Sequence, residues 1–87
     1  MKKIGLIGGI TWQSTQLYYQ LLNSKVAETL GGSSSCECLI ESVNFAEISE
    51  KQGKGDWDSL HEKMADIALR LQNAGAEVIL ICANTMH

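Results

Sequence analysis

Residues 78–82 read Val-Ile-Leu-Ile-Cys, a run of five residues without a charged or amide side chain. A short, continuous apolar run is typical of a parallel strand in the middle of a sheet, with helices packed on both of its faces. Parallel neighbours need long crossover connections, which are usually helical. The run therefore predicts an α/β fold, and the segments upstream of it are the candidates for the helices and the remaining strands.

An amphipathic helix precedes this strand. Its apolar residues recur at helical spacing, and they are Leu60, Met64, Ile67, Ala68 and Leu71. Asp56 or Asp58 is placed to cap its start, and Gly75 is placed to end it. Residues 53–55, Gly-Lys-Gly, predict a flexible break, and residues 44–52 predict a connecting stretch that includes one helical turn.

Two further strands flank a helix in the first half of the chain. Residues 3–7 form a short apolar run before Gly8 and Gly9, which predicts a buried strand and a tight turn. Residues 36–43 alternate imperfectly and predict an edge or half-covered strand. The helix between them is predicted from the near-helical spacing of its apolar residues, which are Leu17, Leu21, Leu22, Val26 and Leu30.

This helix has a start signal at Thr11 or Ser14 and a stop signal at residues 31–32, Gly-Gly. The element order is β-α-β-α-β, which is half of a doubly wound parallel sheet with right-handed crossovers. A sheet of three strands and two helices buries little apolar surface. We therefore expect that a partner or further chain covers it.

Composition excludes several classes of function. The 87 residues carry a formal net charge of −3 with scattered basic residues, which argues against a nucleic-acid partner. Three cysteines, an odd number, favour reduced thiols over a disulfide framework. Glycines interrupt the apolar segment at residues 4–10, so it does not resemble a signal peptide, and no segment approaches the roughly 20 apolar residues of a membrane span. We expect a cytoplasmic protein with no membrane partner.

Three polar or glycine-rich segments should meet at the carboxyl edge of the sheet, where open α/β sheets bind ligands. These segments are residues 8–11, 44–45 and 82–87. Cys82 ends a buried strand, and backbone N–H groups in the following turn would favour its thiolate. Asn84 and Thr85 would then cradle a carboxylate near the sulfur. The alternative is an inert buried thiol followed by a plain turn.

Other candidate residues point to simpler structural roles. Gly8 and Gly9 belong to neither a dinucleotide fingerprint nor a P-loop, so they indicate a sharp turn, with or without a small ligand close to the backbone. Trp12 and Trp57 are candidate pocket walls, with packing as the simpler interpretation. His61 is expected on the solvated or half-buried side of its helix.

A metal site is not predicted. Cys36 and Cys38 supply too few ligands, and neither His61 nor His87 has zinc-finger spacing. The two cysteines are also too close in an extended strand to bridge each other comfortably. At about 3.3 Å per residue they lie roughly 17–23 Å from the carboxyl edge, too far to cooperate with Cys82. His87 as a base for Cys82 would lack an orienting third group.

Several motifs resemble those of the aspartate/glutamate racemase family. Residues 8–15, Gly-Gly-Ile-Thr-Trp-Gln-Ser-Thr, resemble its N-terminal glycine signature, with the broad-specificity amino acid racemase form Gly-Gly-Met-Ser-Trp-Glu-Ser-Thr as the nearest variant. Residues 42–48, Ser-Val-Asn-Phe-Ala-Glu-Ile, look like its second-strand motif. Residues 75–77, Gly-Ala-Glu, and 82–87, Cys-Ala-Asn-Thr-Met-His, look like its first catalytic motif. The resemblance covers essentially the whole chain.

The resemblance implies a racemase without cofactor or metal, whose substrate is a small amino acid. In such enzymes two cysteines face opposite sides of the substrate Cα, and Cys82 matches the first of them. The positions that match substrate contacts are Ile10, Gln52, Ala83, Asn84 and Thr85. Ile10 stands where Met is commoner in the family. A contact between the substrate and the backbone at this position would not depend on that side chain.

Family members have two similar α/β domains, and the second cysteine lies in the other one. The resemblance therefore implies that residues 1–87 are the N-terminal part of an incomplete racemase domain, inactive alone, that joins a C-terminal half or forms a homo-oligomer such as a dimer. Related decarboxylases, maleate isomerases and hydantoin racemases share the fold and the cysteine placement. A further alternative, from another functional class, is a non-catalytic, flavodoxin-like ligand-binding half-domain.

Overall fold

The computed structural model describes residues 1–83, which form a parallel sheet with three helices. In chain order the elements are β1 (Ile4–Gly8), α1 (Trp12–Leu30), β2 (Cys38–Ser42), α2 (Phe45–Gly53), α3 (Trp57–Asn73) and β3 (Val78–Ile81). The predicted α/β class is confirmed, with strand ends that move by one or two residues. The order is β-α-β-α-α-β rather than β-α-β-α-β, because residues 44–52 contribute a helix.

The strand order is β2-β1-β3, with β1 paired in parallel to both neighbours. The prediction that residues 78–82 form a central strand is therefore wrong for the described sheet. β3 lies at one edge, and its end residues Val78 and Ile81 are 38% and 49% exposed. Both crossovers return beside β1, one on each side, so it is β1 that is enclosed, with Leu6 at 0% and Ile7 at 1% exposure. The prediction that β2 lies at an edge is confirmed.

Helix α3 covers one face of the sheet and forms the main core. Ile67 and Leu71 pack there against Ile7 of β1 and Ala76 of the loop before β3. Fully burying an aliphatic side chain contributes about 1.5–3 kcal/mol, so this apolar stripe is what holds α3 in place. The helix starts at Asp56, whose carboxylate accepts a hydrogen bond from the backbone N–H of Ser59 at 3.2 Å, so of the two predicted caps Asp56 is used.

Helix α2 is the element that sequence patterns missed. Asn44 caps it, because its side-chain oxygen accepts a hydrogen bond from the N–H of Ala46 at 3.1 Å. Glu47 lies in the first turn, where its charge favours the helix dipole. Ile48 is fully buried and forms a second core cluster with Ile10 and Leu60. This cluster lies under the carboxyl edge of the sheet.

Helix α1 is present as predicted but packs differently. All 19 of its residues are described, and among them only Thr15 is buried. Leu17 and Leu21 are 44% and 58% exposed. Gly31, at φ +76°, ends the helix and donates its N–H to the carbonyl of Ala27 at 2.8 Å. Thr11 occupies the cap position of α1 without a side-chain hydrogen bond. Among residues 1–83, no helix is long and apolar enough to cross a bilayer.

Candidate active site

The three segments predicted to converge all begin at the carboxyl edge of the sheet, and the third is described as far as Ala83. After β2, the N–H of Val43 donates to the carbonyl of Gly8 at 2.8 Å. After β3, the N–H of Cys82 donates to the carbonyl of Ile7 at 3.0 Å. Each outer strand thus stays paired with β1 up to the edge, and the loops that follow start side by side.

Gly9 fixes the geometry of the turn after β1. Its φ is +89°, and a Cβ there would lie 2.2 Å from the carbonyl oxygen of Val43. Its N–H donates a buried hydrogen bond of 2.8 Å to the hydroxyl of Thr15 in α1. The close approach that this glycine permits is therefore to the end of β2, within the fold. Of the two interpretations of the glycine pair, the sharp turn explains Gly9 without a ligand.

Ile10 and Ala83 come together beneath the edge. Ile10 is 0% exposed and packs in the cluster with Ile48 and Leu60, and Ala83 packs against the same cluster. The side chain of Ile10 is thus part of the core. The whole residue is buried within residues 1–83, so a backbone contact of Ile10 with substrate, and the tolerance of an Ile-for-Met change there, stay predictions.

Cys82 lies directly after β3 and is 0% exposed. Burial raises the pKa of its thiol above the ordinary value, so the group is protonated at neutral pH. The cause is desolvation, since an apolar environment disfavours the charged sulfur. The backbone donors expected to favour the thiolate belong to the turn after Cys82, most of which lies outside the described residues, so that expectation stays a prediction.

The remaining predicted substrate contacts divide into two groups. Gln52 is half-buried in the last turn of α2. It follows Ile48 by four residues, which places it on the same side of the helix, the side that packs towards Ile10. Asn84 and Thr85 lie outside the described residues, as does His87, so the predictions about them stay predictions.

Cys36 and Cys38 lie at the opposite end of the sheet. Both are free thiols, and Cys38 is in register with Ile4 at the start of β1. Cys82 follows Ile81, which is in register with Ile7. Four residues along the strands and two strand spacings across them separate the Cα atoms of Cys38 and Cys82 by roughly 16 Å. This agrees with the expectation that these thiols do not cooperate.

The aromatic and histidine candidates face solvent. Trp12 and Trp57 are 58% and 52% exposed, so neither packs into the core of residues 1–83. His61 is exposed on α3, within the range that its sequence predicts. Among residues 1–83 there is no group of three His, Cys, Asp or Glu side chains arranged to hold a metal ion.

Two open surface grooves lie away from the carboxyl edge. One, of about 250 Å³, runs between α2 and α3. Its charges are largely paired, with Lys63 3.1 Å from Glu47 and the Lys51 ammonium 2.7 Å from the Ser59 hydroxyl. The other, of about 300 Å³, is apolar and lies beside Met1. Neither is lined by Cys82, so the strand edge rather than a groove identifies the candidate site.

Comparison with known proteins agrees with this architecture. Residues 7–87 match the family described as Asp/Glu/hydantoin racemase. A solved structure, "Crystal structure of a putative Asp/Glu Racemase from Yersinia pestis", superposes with a TM-score of 0.95 at 47% sequence identity. The match covers 100% of this chain and 38% of that one, so the chain spans well under half the length of its relative. With the glycine turn after β1 and Cys82 both inside the matched residues 7–87, the chain belongs to the Asp/Glu/hydantoin racemase family.

Proposed function

We propose that this chain is the N-terminal part of a cofactor-independent amino acid racemase, and that Cys82 is one of its two acid/base thiols. One observation carries the proposal. In a chain of this family, a fully buried thiol lies at the carboxyl edge of the sheet, hydrogen-bonded through its backbone to β1 beside the glycine turn. This is the edge at which open α/β sheets bind their ligands.

The reaction needs only proton transfers. One thiolate removes the proton from the substrate Cα, and the electron pair delocalises into the neighbouring carboxyl group. A thiol on the opposite face then returns a proton to the same carbon. Because the raised pKa of Cys82 keeps it protonated, this sulfur acts first as a proton donor in its described surroundings. Acting as a base requires that further donors or positive charge lower its pKa in the assembled enzyme.

Substrate contacts would come from the loops that follow the strands. The backbone of Ile10 and the segment at Ala83 share one buried cluster, which supports a rigid floor for the substrate carboxylate. Asn84 and Thr85 follow Ala83 directly, and their N–H and side-chain donors would bind that carboxylate. Gln52 would reach the same edge from the buried side of α2.

The second thiol must come from outside this chain. Two sulfurs that flank one carbon at near-attack distances of about 3–3.5 Å each lie roughly 7 Å apart. Cys38 is about 16 Å from Cys82 by strand geometry, and Cys36 lies farther from the edge. We therefore expect no efficient racemisation by the 87-residue chain alone. Racemisation by the purified chain that Cys82→Ala abolishes would contradict this.

Deuterium exchange at the substrate Cα tests the proposed function. The protein encoded by the longest reading frame that begins with this chain would be incubated in heavy water with L-aspartate, L-glutamate, other L-amino acids and hydantoins. Hydantoins are included because the family's description names hydantoin racemase. NMR follows loss of the Cα proton, with Cys82→Ser as the control. We expect exchange that the variant lacks, and exchange that increases with pH because the thiol that removes the Cα proton must first lose its own. Equal exchange in the Cys82→Ser variant would refute the thiol mechanism.

A further inference from the structure

Two sulfur atoms contact the backbone of Glu37, at the end of the sheet opposite the candidate active site, and the residue after Glu37 carries a third. The N–H of Glu37 lies 3.3 Å from the thioether sulfur of Met1. Its carbonyl oxygen lies 3.7 Å from the sulfur of Cys36. Cys38 follows as the first residue of β2. Two thiols and a thioether are thus gathered around one residue, and the racemase mechanism uses none of them.

The two thiols lie close to each other. Cys36 and Cys38 are both free and half-buried, and Cys36 is near enough to raise the pKa of Cys38. Residues two apart in an extended chain point to the same face, which explains their proximity. Burial, and then the neighbouring Cys36, raise the pKa of Cys38, as expected for two sulfurs that cannot both ionise easily at close range.

The surrounding backbone holds this segment rigidly. The N–H of Cys36 donates to the side-chain oxygen of Asn23 in α1 at 2.9 Å, and the Asn23 amide donates in turn to the carbonyl of Tyr19 at 2.9 Å. On the other side, the N–H of Ile4 donates to the carbonyl of Glu37 at 3.1 Å. Because these bonds fix the chain on both sides of the thiols, little ordering remains for a ligand to impose.

The spacing favours an ion between the sulfurs over a disulfide. Cα atoms two residues apart in an extended strand are separated by about 6.6 Å, at the upper limit of the roughly 4.4–6.8 Å that a disulfide accepts. An ion with two metal–sulfur bonds of about 2.3 Å joins sulfurs as much as about 4.6 Å apart. The same backbone that would strain a disulfide therefore accommodates a bridging ion.

We propose that Cys36 and Cys38, with the thioether of Met1 as third donor, form a binding site for a soft monovalent metal ion of the Cu(I) class. Thiolate and thioether ligands select Cu(I), whereas structural Zn²⁺ sites require four ligands. The sequence alone shows too few ligands here, because Met1 comes close to Glu37 only when β1 and β2 pair. Binding replaces both thiol protons with one ion: two thiols and Cu(I) give an anionic dithiolate complex and two released protons.

An anaerobic titration of the reduced 87-residue chain with Cu(I), in competition with the chelator bicinchoninate, tests the site. We expect one equivalent to bind, and a loss of affinity of at least about tenfold in Cys36→Ser and in Cys38→Ser. Cys82→Ser is the matched control, since it also removes one thiol but leaves this site intact. Equal affinity in all four proteins would overturn the proposal. Binding of half an equivalent with dimerisation would also overturn it, because the ion would then bridge two chains.

Selenium X-ray absorption tests the thioether. The sequence has three methionines, so Met64→Leu with Met86→Leu leaves Met1 as the one selenium site after selenomethionine labelling. We expect a copper neighbour in the selenium spectrum of the Cu(I)-loaded protein, and its loss in the Cys36→Ser background. A selenium spectrum without copper from a fully loaded protein would remove Met1 from the ligand set and refute the three-sulfur site.

Discussion

The two faces of the sheet are covered in opposite ways. On one face α3 buries Leu60, Ile67 and Leu71, each at most 5% exposed. On the other, α1 has two more residues but buries only Thr15, while Leu21 of α1 remains 58% exposed. Helix α3 is held by fully buried apolar side chains, whereas α1 combines polar contacts with apolar side chains that are at most half-buried, such as Leu22 and Val26.

Two hydrogen-bonded points fix α1 to the rest of the chain. At its start, the hydroxyl of Thr15 accepts the buried N–H of Gly9. In its middle, the side chain of Asn23 accepts the N–H of Cys36. Hydrogen bonds each contribute roughly 0.5–1.5 kcal/mol net, less than a fully buried aliphatic side chain. The comparison teaches that helix length is a poor guide to how strongly a helix stabilises this fold.

The largest expected effect on stability comes from truncating a side chain on α3 rather than one on α1. Ile67→Ala on α3 removes a fully buried side chain and should cost about 2–5 kcal/mol of unfolding free energy. Its counterpart Leu21→Ala on α1 should change the unfolding free energy by less than about 0.5 kcal/mol, because that side chain is mostly exposed. Urea denaturation followed by circular dichroism measures both. Similar losses in the two variants would show that α1 contributes as much packing as α3.

The second largest effect on stability is expected at Gly9, in the turn between β1 and α1. Gly9→Ala places a Cβ against the carbonyl of Val43 at a positive φ, whereas Gly32→Ala has positive φ but open space around it. Both variants should lose about 1–2 kcal/mol of unfolding free energy because alanine disfavours a positive φ. Gly9→Ala should lose roughly 1–3 kcal/mol more because the backbone must move away from the new Cβ. Paired urea titrations give the difference. If the two variants are equally stable, the approach of the turn to β2 is not tight.

Thr15→Val tests the polar attachment of α1. It keeps the shape of the side chain but leaves the buried N–H of Gly9 without its acceptor, at a cost of about 1–3 kcal/mol. Amide hydrogen exchange should then accelerate in the first turns of α1 and remain slow in α3. The Thr15→Ser control retains the hydroxyl and should keep those α1 amides protected. Uniform acceleration across both helices would contradict a local attachment.

The smallest effect concerns the one ion pair described here between α3 and an edge strand. Arg70 forms two hydrogen bonds with Glu41 of β2, one of them from its Nε at 3.1 Å, and they lower the pKa of the Glu41 carboxyl. A carboxyl group whose pKa is lower in the folded than in the unfolded protein stabilises the fold at pH values above its unfolded-state pKa. This stabilisation is lost as the pH falls through its folded-state pKa. Arg70→Ala should therefore lower Tm slightly at neutral pH, and the difference should vanish well below roughly pH 4. A Tm difference that persists in acid would point to packing instead.

Sequence patterns predicted five of the six elements because each has its own periodicity or apolar run. Helix α2 was missed although Asn44 followed three residues later by Glu47 is a recognisable start signal. Within the described three-stranded sheet β3 lies at an edge and not at the predicted centre, because an apolar run reports hydrophobicity and not strand order. Which strand is central depends on where the crossovers return, and that is a property of the whole chain.

The candidate site was predictable in position and not in electrostatics. Convergence of the segments after Gly8, Ser42 and Ile81 follows from parallel strands, and it was confirmed. The pKa of Cys82 depends on how completely its surroundings exclude water, which no local motif reports. The roles of Cys82 and of the substrate contacts, the compartment and the oligomeric state stay predictions.

The central place of β1 also sets the order in which the sheet can be assembled. Ile4, near the start of the chain, pairs with Val78, and 78 − 4 = 74 residues separate them. At synthesis rates of about 5–20 residues per second, the first strand leaves the ribosome roughly 4–15 s before its last partner is made. During that interval one side of β1 can pair only with β2, and its other side presents unsatisfied backbone groups. The strand that becomes the most protected in the finished fold is therefore the one exposed longest to misassembly, and it is where a nascent-chain chaperone would be of most use.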